Sequence, residues 1–261
     1  MFLTPRSTPT LLTLALLVST GGCDDGTGPG RPGEVSFSVV AARDGGALAG
    51  AGGPQGVQVQ NDGTHTLEIR RVAVVIRKIE LELAEGPESS APLRSEGEDD
   101  DDREELEFGP LLVEIPLDGE VDKVFSATLP EGTYKEVELE IHKPSRDDGS
   151  DTAFVRVHPD FAGVSIRVEG TYDGVAFVFT QDLDAEQEYE LAPPLEVGPD
   201  APAANLTLRV DLTTWFARPD GSLVSPSTAG PGGANYGLVK ENIKRSFHAY
   251  EDDDHDGEDD G

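Results

Sequence analysis

Residues 72–83 read VAVVIRKIELEL, and the second half of this stretch alternates strictly between apolar and charged side chains. Ile79, Leu81 and Leu83 are separated by Glu80 and Glu82. A period of two is typical of an antiparallel strand that buries one face and exposes the other to water. The same period recurs along the chain, with apolar side chains at Val35, Phe37 and Val39; Leu111, Val113 and Ile115; Val137, Leu139 and Ile141; Val164, Ile166 and Val168; Val175, Phe177 and Phe179; and Leu206, Leu208, Val210 and Leu212.

The stretch also contains a break in register. Val72, Val74 and Ile76 have even numbers, whereas the apolar positions after Lys78 are odd. One regular strand cannot bury both sets on the same face. A β-bulge near Arg77 and Lys78, or a strand that crosses between sheets, would restore the register, and we favour the bulge.

Turn residues separate several of the alternating runs. Asp173 and Gly174 lie between two of them, and an Asp-Gly pair is a strong hairpin signal because both residues tolerate positive φ. Many strands with few helices between them predict a mainly β fold, an antiparallel two-sheet β-sandwich spanning residues 34–216. Two smaller units divided near residues 145–151 are the alternative, and we favour one sandwich.

Four segments occur in an order that resembles a family of bacterial exported lipoproteins. They are residues 72–83, 108–117 (FGPLLVEIPL), 129–134 (LPEGTY) and 205–212. The resemblance covers roughly residues 34–216 and implies an uncharacterised domain with a transthyretin-like or immunoglobulin-like β-sandwich. It further implies that Pro130 and Gly132 set a turn beneath which Tyr134 packs. The family supplies no assigned catalytic residues.

The N-terminus has the features of a secretory signal. Arg6 precedes the apolar run LLTLALLV at 11–18, and small residues lead to Cys23, the only cysteine of the chain. We interpret residues 1–22 as a lipoprotein-type signal peptide, Cys23 as the lipid-attachment site and residues 23–33 as a flexible Gly/Pro linker. Acylation would tether the protein to a membrane in the cell envelope, outside the cytoplasm. An ordinary cleaved signal is the alternative, and the run is too short to span a bilayer.

Charge excludes some classes of partner. Asp and Glu number 51 against 20 Lys and Arg, which gives a net charge of −31. Such a chain is unsuited to binding a nucleic-acid backbone. Two runs, residues 96–105 and 251–260, carry eight acids each and are predicted to be a solvated loop and an acidic tail. The single cysteine excludes intramolecular disulfides and thiolate metal clusters.

The period changes after Trp215 and Phe216. Residues 217–235 are rich in Gly and Pro, and the spacing of Leu238, Ile243, Phe247 and Tyr250 predicts one amphipathic C-terminal helix over about 236–250. We expect the two aromatic residues to pack in the core. An exposed platform for stacking carbohydrate is the alternative.

The acidic tail at 251–261 contains the arrangement with the most chemical content. Asp252, Asp254, Asp256 and Gly257 fit positions one, three, five and six of an EF-hand-like calcium loop, and Asp260 falls at position nine. Alternate carboxylates can wrap a Ca²⁺ ion while the glycine provides the bend. The residue for position twelve is missing from the sequence, so an unstructured tail remains the alternative.

Two histidines have acidic neighbours. His142 shares a predicted strand face with Glu138 and Glu140, and we expect this stripe to face solvent rather than bind a metal. His158 and Asp160 lie at the end of a strand-like run. Neither is accompanied by a recognisable nucleophile motif.

Two classes of function follow. The first is a non-enzymatic, membrane-tethered lipoprotein with a binding or structural role, and weak calcium binding at its C-terminus. The second is an exported hydrolase or carbohydrate-binding protein that uses exposed acids and aromatics. We favour the first; the sequence does not identify a protein or carbohydrate partner.

Overall fold

Two β-sheets form the body of the protein. The computed structural model describes residues 33–42, 56–84, 103–198, 204–252 and 257, and of 103–109 only the backbone. Within these ranges strands predominate and most neighbours are antiparallel, so the predicted mainly β, two-sheet sandwich is confirmed. Cys23 and the rest of residues 1–32 lie outside the described part of the chain.

Among the described residues, the smaller sheet has four strands. β1 (Gly33–Ala41) lies between β5 (Asp122–Leu129) and β10 (Ala204–Val210), and β11 (Phe247–Glu251) pairs with the other edge of β10. β1 and β10 are parallel, and the other pairs are antiparallel.

In the part of the chain that the structure describes, the larger sheet has seven strands built around one long strand, β3 (Thr66–Leu83). β2 (Gln58–Asn61) and β4 (Arg103–Glu114) pair with β3, as do β6 (Gly132–Ile141) and β7 (Ile166–Tyr172). β8 (Val175–Gln181) extends the sheet beyond β7, and β9 (Ala185–Val197) extends it beyond β6. β4 begins at Arg103, so the last three residues of the acidic run at 96–105 belong to a strand and not to a loop.

The predicted bulge in β3 is confirmed. The pairing of β3 with both β4 and β6 shifts register between Ile76 and Lys78. Val74 pairs with β7 and Ile76 pairs with β6, so β3 also exchanges one neighbour for another at this point. The extra residue, Arg77, keeps the apolar positions on both sides of the break in the core.

Two predicted turns are also present. Asp173 and Gly174 have φ of 50° and 77° and connect β7 to β8 as a hairpin. At the turn between β5 and β6, Tyr134 of β6 is fully buried and donates a hydrogen bond from its hydroxyl to the carbonyl oxygen of Pro130, at 3.1 Å. The side chain therefore packs beneath the turn as the family resemblance implies.

The segment between β6 and β7 covers the outer face of the larger sheet. Helix α1 (Thr152–Val157) and a 3₁₀ turn (Pro159–Phe161) bring Phe154, Val155 and Phe161 onto Ala73 and Val75 of β3. β7 then pairs with β3, so the strands before and after residues 145–151 share one sheet. The strand-like run before His158 is a helix, because its apolar side chains cover a sheet face instead of extending it.

The C-terminal helix is shorter than the sequence predicts. α2 (Tyr236–Lys244) ends six residues early, and β11 follows as an edge strand. Phe247 and Tyr250 are both buried although they are three residues apart. Phe247 packs in the main core, whereas the Tyr250 hydroxyl hydrogen-bonds to Gly257. A strand buried on both faces imitates helical spacing, which explains why the prediction of a helix to residue 250 was wrong.

The main core lies between the two sheets. Trp215 and Phe216 are both 0% exposed, and the Phe216 ring meets the Phe179 ring edge-on with centroids 5.1 Å apart. The prediction of core packing for these aromatics is confirmed. In the described ranges no helix is long and apolar enough to cross a bilayer.

Candidate functional site

A cluster of charged side chains lies on the outer face of the larger sheet, where β6 ends and β9 begins. Glu140 is the penultimate residue of β6, His142 follows the strand, and Asp184 directly precedes β9. Ile141 is paired with Ala185, so these chain ends are neighbours. We call Glu140, His142, Asp184, Asp151 and Arg77 the His142 cluster.

Arg77 holds the carboxylate of Glu140. The β3 bulge places the guanidinium beside β6, where Nε donates to Oε2 at 3.0 Å and Nη2 donates to Oε1 at 2.6 Å. These hydrogen bonds raise the pKa of Arg77 above its ordinary value. The paired geometry fixes both oxygens of Glu140, as a bidentate arginine–carboxylate contact does.

Asp151 holds the imidazole of His142. Both carboxylate oxygens lie 2.9 Å from Nε2, and Oδ2 also accepts the backbone N–H of Ser145 at 2.7 Å. A carboxylate can only accept, so Nε2 donates and carries a proton. Asp151 is fully buried at the N-terminus of α1, and His142 is 6% exposed. The ring is therefore fixed in one orientation.

The other nitrogen of His142 faces two carboxylates. Nδ1 lies 3.6 Å from Oε1 of Glu140 and 3.6 Å from Oδ1 of Asp184. Ligand atoms of these three residues all lie within 4.8 Å of one another. The Asp184 side chain is 52% exposed, which leaves the cluster open to solvent on that side.

The sequence-based prediction for this stripe was wrong. His142 and Glu140 are buried rather than solvent-facing. Glu140 does share its face of β6 with His142, as predicted, but the partners that bury the pair were missed. Arg77, Asp151 and Asp184 come from three separate segments, and the only signal for them was the register break at Arg77.

Asp252 and Gly257, the described residues after β11, lie on the outer face of the smaller sheet, on the opposite side of the sandwich. Asp252 is 0% exposed, and its backbone N–H extends the pairing of β11 by donating to Asn205 at 3.0 Å. Oδ2 of Asp252 accepts from the Thr207 hydroxyl at 3.0 Å and from the backbone N–H of Gly257 at 3.2 Å. Asp252 therefore belongs to the fold and not to an unstructured tail.

Gly257 closes a bend over this face. Its φ is +80°, and its carbonyl oxygen accepts from the Tyr250 hydroxyl at 2.6 Å. A Cβ at this position would lie 3.0 Å from Val121 and 3.4 Å from Val40. Positive φ together with close packing favours glycine here. The other predicted calcium ligands, Asp254, Asp256 and Asp260, lie outside the described residues.

A buried hydrogen-bond network supports this face. Asn205 is fully buried, and its Oδ1 accepts from the hydroxyls of Ser36 and Ser38, each at 2.8 Å. Its Nδ2 donates to the Thr207 hydroxyl at 2.8 Å and to the carbonyl oxygen of Asp252 at 3.1 Å. The alternation of β1 and β10 placed these polar residues toward water. The structure instead buries them beside Asp252.

The aromatic residues considered for carbohydrate stacking are unsuitable for it. Trp215 donates from Nε1 to the Ser246 hydroxyl at 2.7 Å and has no exposed ring face. The alternative of an exposed platform at Trp215 and Phe216 was therefore wrong.

Comparison with known proteins adds no relative. No family model matches the chain, and the searches of curated proteins and of solved structures gave no match either.

Proposed function

We propose that this chain is an exported, non-enzymatic lipoprotein of the cell envelope that holds a β-sandwich at a membrane surface for a binding or structural role. The observation that carries the proposal is the position of Cys23 at the end of a signal-like segment, with only residues 24–32 between it and β1. An acylated Cys23 would therefore be separated from the first strand by only a short segment.

The number of residues between Cys23 and β1 and the net charge of the chain determine how an acylated protein would be held at the membrane. Nine residues span at most about 30 Å even when fully extended, so acyl chains on Cys23 would hold the sandwich close to the bilayer. The net charge of −31 opposes contact with anionic lipid headgroups. Attachment would therefore depend on the lipid, with the acidic body facing solvent.

The C-terminal segment is proposed to bind calcium weakly. The bend at Gly257, with its N–H on Oδ2 of Asp252, matches the turn that an EF-hand-like loop requires between positions one and six. Asp252, Asp254, Asp256 and Asp260 would supply the carboxylates. A bound cation would relieve the mutual repulsion of these carboxylates.

Replacing Cys23 with alanine tests the tether. In a bacterial host that processes lipoproteins, we expect the parent protein, with Cys23 in place, to partition into the membrane and the detergent phase. Cys23→Ala should move most of it to the aqueous phase, because each buried methylene of the lost acyl chains contributes about 0.8 kcal/mol. Asp24→Asn, which keeps the thiol, is the matched control. If Cys23→Ala and the parent protein partition equally, the proposed tether is contradicted.

Titration calorimetry tests the calcium site. We expect a dissociation constant of about 10⁻⁴–10⁻³ M, as in extracellular modules, and a rise in thermal midpoint with calcium. Asp256→Asn should weaken binding at least about tenfold, because it removes a charged ligand. Asp99→Asn, in the other acidic run, should leave affinity unchanged. Absence of heat and of any midpoint shift at millimolar calcium would refute the site.

A further inference from the structure

Nδ1 of His142 is a buried polar atom with no hydrogen-bond partner among the residues that the structure describes. One carboxylate oxygen of Glu140 and one of Asp184 each lie 3.6 Å from it. Hydrogen bonds from nitrogen to oxygen are about 2.7–3.2 Å long, so neither contact is one. A buried donor or acceptor in this position needs an explanation.

The protonation of the ring makes the arrangement more specific. Nε2 carries a proton because it donates to Asp151. In the neutral imidazole, Nδ1 then presents a lone pair toward two carboxylate oxygens. Oε1 of Glu140 accepts from Arg77, and Oδ1 of Asp184 accepts from the backbone N–H of Lys143 at 3.3 Å, but Nδ1 has no donor among the described residues. A cation between the three atoms would accept the lone pair of Nδ1 and offset the charges of the two carboxylates.

We propose that Glu140, His142 and Asp184 form a binding site for a divalent transition-metal ion of the Zn²⁺ class, distinct from the C-terminal calcium segment. Donor atoms on a tetrahedral ion with bonds of about 2.1 Å lie about 3.4 Å apart. The two nitrogen–oxygen distances of 3.6 Å are close to that spacing. Three protein ligands leave one coordination position for water, on the side where Asp184 is exposed.

The surrounding residues are those expected behind a metal ligand. Asp151 fixes the tautomer and the orientation of the imidazole, as in carboxylate–histidine–zinc arrangements. Arg77 orients Glu140 through two hydrogen bonds. Three carboxylates against one guanidinium leave two net negative charges, which one dication would neutralise.

The donor set selects the class of ion. One imidazole nitrogen and two carboxylates suit Zn²⁺ and its first-row neighbours. Ca²⁺ takes six to eight oxygen ligands, so it should prefer the C-terminal carboxylates. The competing occupant of the space is a proton on Nδ1, which would point at the same two carboxylates. The experiment therefore has to distinguish a metal from a proton.

Nitrogen-15 NMR of the two imidazole nitrogens distinguishes a bound metal from a proton at Nδ1. In nitrogen-15 NMR spectra at neutral pH, addition of Zn²⁺ should shift the Nδ1 resonance of His142 while Nε2 keeps its proton. His142→Gln assigns the signal by its loss. If millimolar Zn²⁺ leaves this resonance unmoved, or if both nitrogens are protonated with and without metal, the proposal is overturned.

Zn²⁺ calorimetry on the full chain provides the second readout. Asp184→Asn should weaken Zn²⁺ binding tenfold or more. Because the Asp184 side chain is half-exposed, this substitution should not unfold the protein, whereas substitutions at the buried ligands could. Asp151→Asn, which contacts the imidazole and not the ion, should weaken binding about 10–100-fold. Asp160 lies outside the cluster and its side chain is 72% exposed, so Asp160→Asn should leave the Zn²⁺ affinity unchanged. Any Zn²⁺ binding to the acidic tail is the same in all of these variants, so it does not affect the differences between them. Equal affinity of Asp184→Asn and the unmodified protein would refute the site.

Discussion

Trp215→Ala is expected to lower the free energy of unfolding by about 3–5 kcal/mol, the cost of removing a large aromatic side chain from a packed core. Trp215 is fully buried, its ring lies beside Phe247 with centroids 6.4 Å apart, and its Nε1–H is hydrogen-bonded to Ser246. The side chain thus ties the loop after β10 to the residues between α2 and β11. Urea denaturation of both proteins measures the difference.

Val178→Ala is the matched control for that experiment. Val178 lies in β8 and is 56% exposed, so truncation should change the free energy of unfolding by less than about 0.5 kcal/mol. A loss below about 1 kcal/mol for Trp215→Ala would show that the indole is not part of the core.

Asn205→Leu is expected to lower the free energy of unfolding by about 2–4 kcal/mol. The leucine has a similar volume but leaves the Ser38 hydroxyl without its acceptor and the Ser36 hydroxyl with only a 3.5 Å contact to the carbonyl oxygen of Ala204. Each buried unsatisfied polar group costs about 1–3 kcal/mol. The substitution also removes the two hydrogen bonds that Nδ2 donates to Thr207 and Asp252. Chemical denaturation measures the effect.

A change of sign distinguishes this network from simple packing. In the parent protein, Ser38→Ala should destabilise by about 1 kcal/mol, because it removes the hydrogen bond to Asn205. In the Asn205→Leu background the same change should stabilise, because the orphaned hydroxyl disappears. Equal effects in the two backgrounds would mean that Asn205 does not couple to Ser38.

The parts of the fold that follow from local sequence were predictable. The bulge at Arg77 appears as a change of parity within twelve residues, and the β7–β8 hairpin follows from Asp173 and Gly174. Both depend on backbone preferences and side-chain alternation, which a single stretch of chain contains.

The parts that depend on distant segments were not predictable. β11 is a strand because β10 offers it a free edge, and its residues are buried on both faces like those of a helix stripe. His142 has acidic neighbours in its own strand, but Asp151 and Asp184 reach it only through the loops before α1 and β9. Contacts of this kind leave no pattern in the sequence around His142.

The two proposed cation sites can be tested separately. The His142 cluster lies on the outer face of the larger sheet, and Asp252 and Gly257 lie on the outer face of the smaller one. Substitutions at one site should leave the other unchanged, because sites without shared partners behave additively.

Intact-mass and N-terminal peptide mass spectrometry of the protein, expressed at full length in a lipoprotein-processing bacterium, tests the central claim most directly. The proposal of a lipid-anchored envelope protein predicts a mature chain that begins at Cys23 and carries the added mass of acyl chains. A cytosolic chain that begins at Met1, with an unmodified thiol at Cys23, would contradict it.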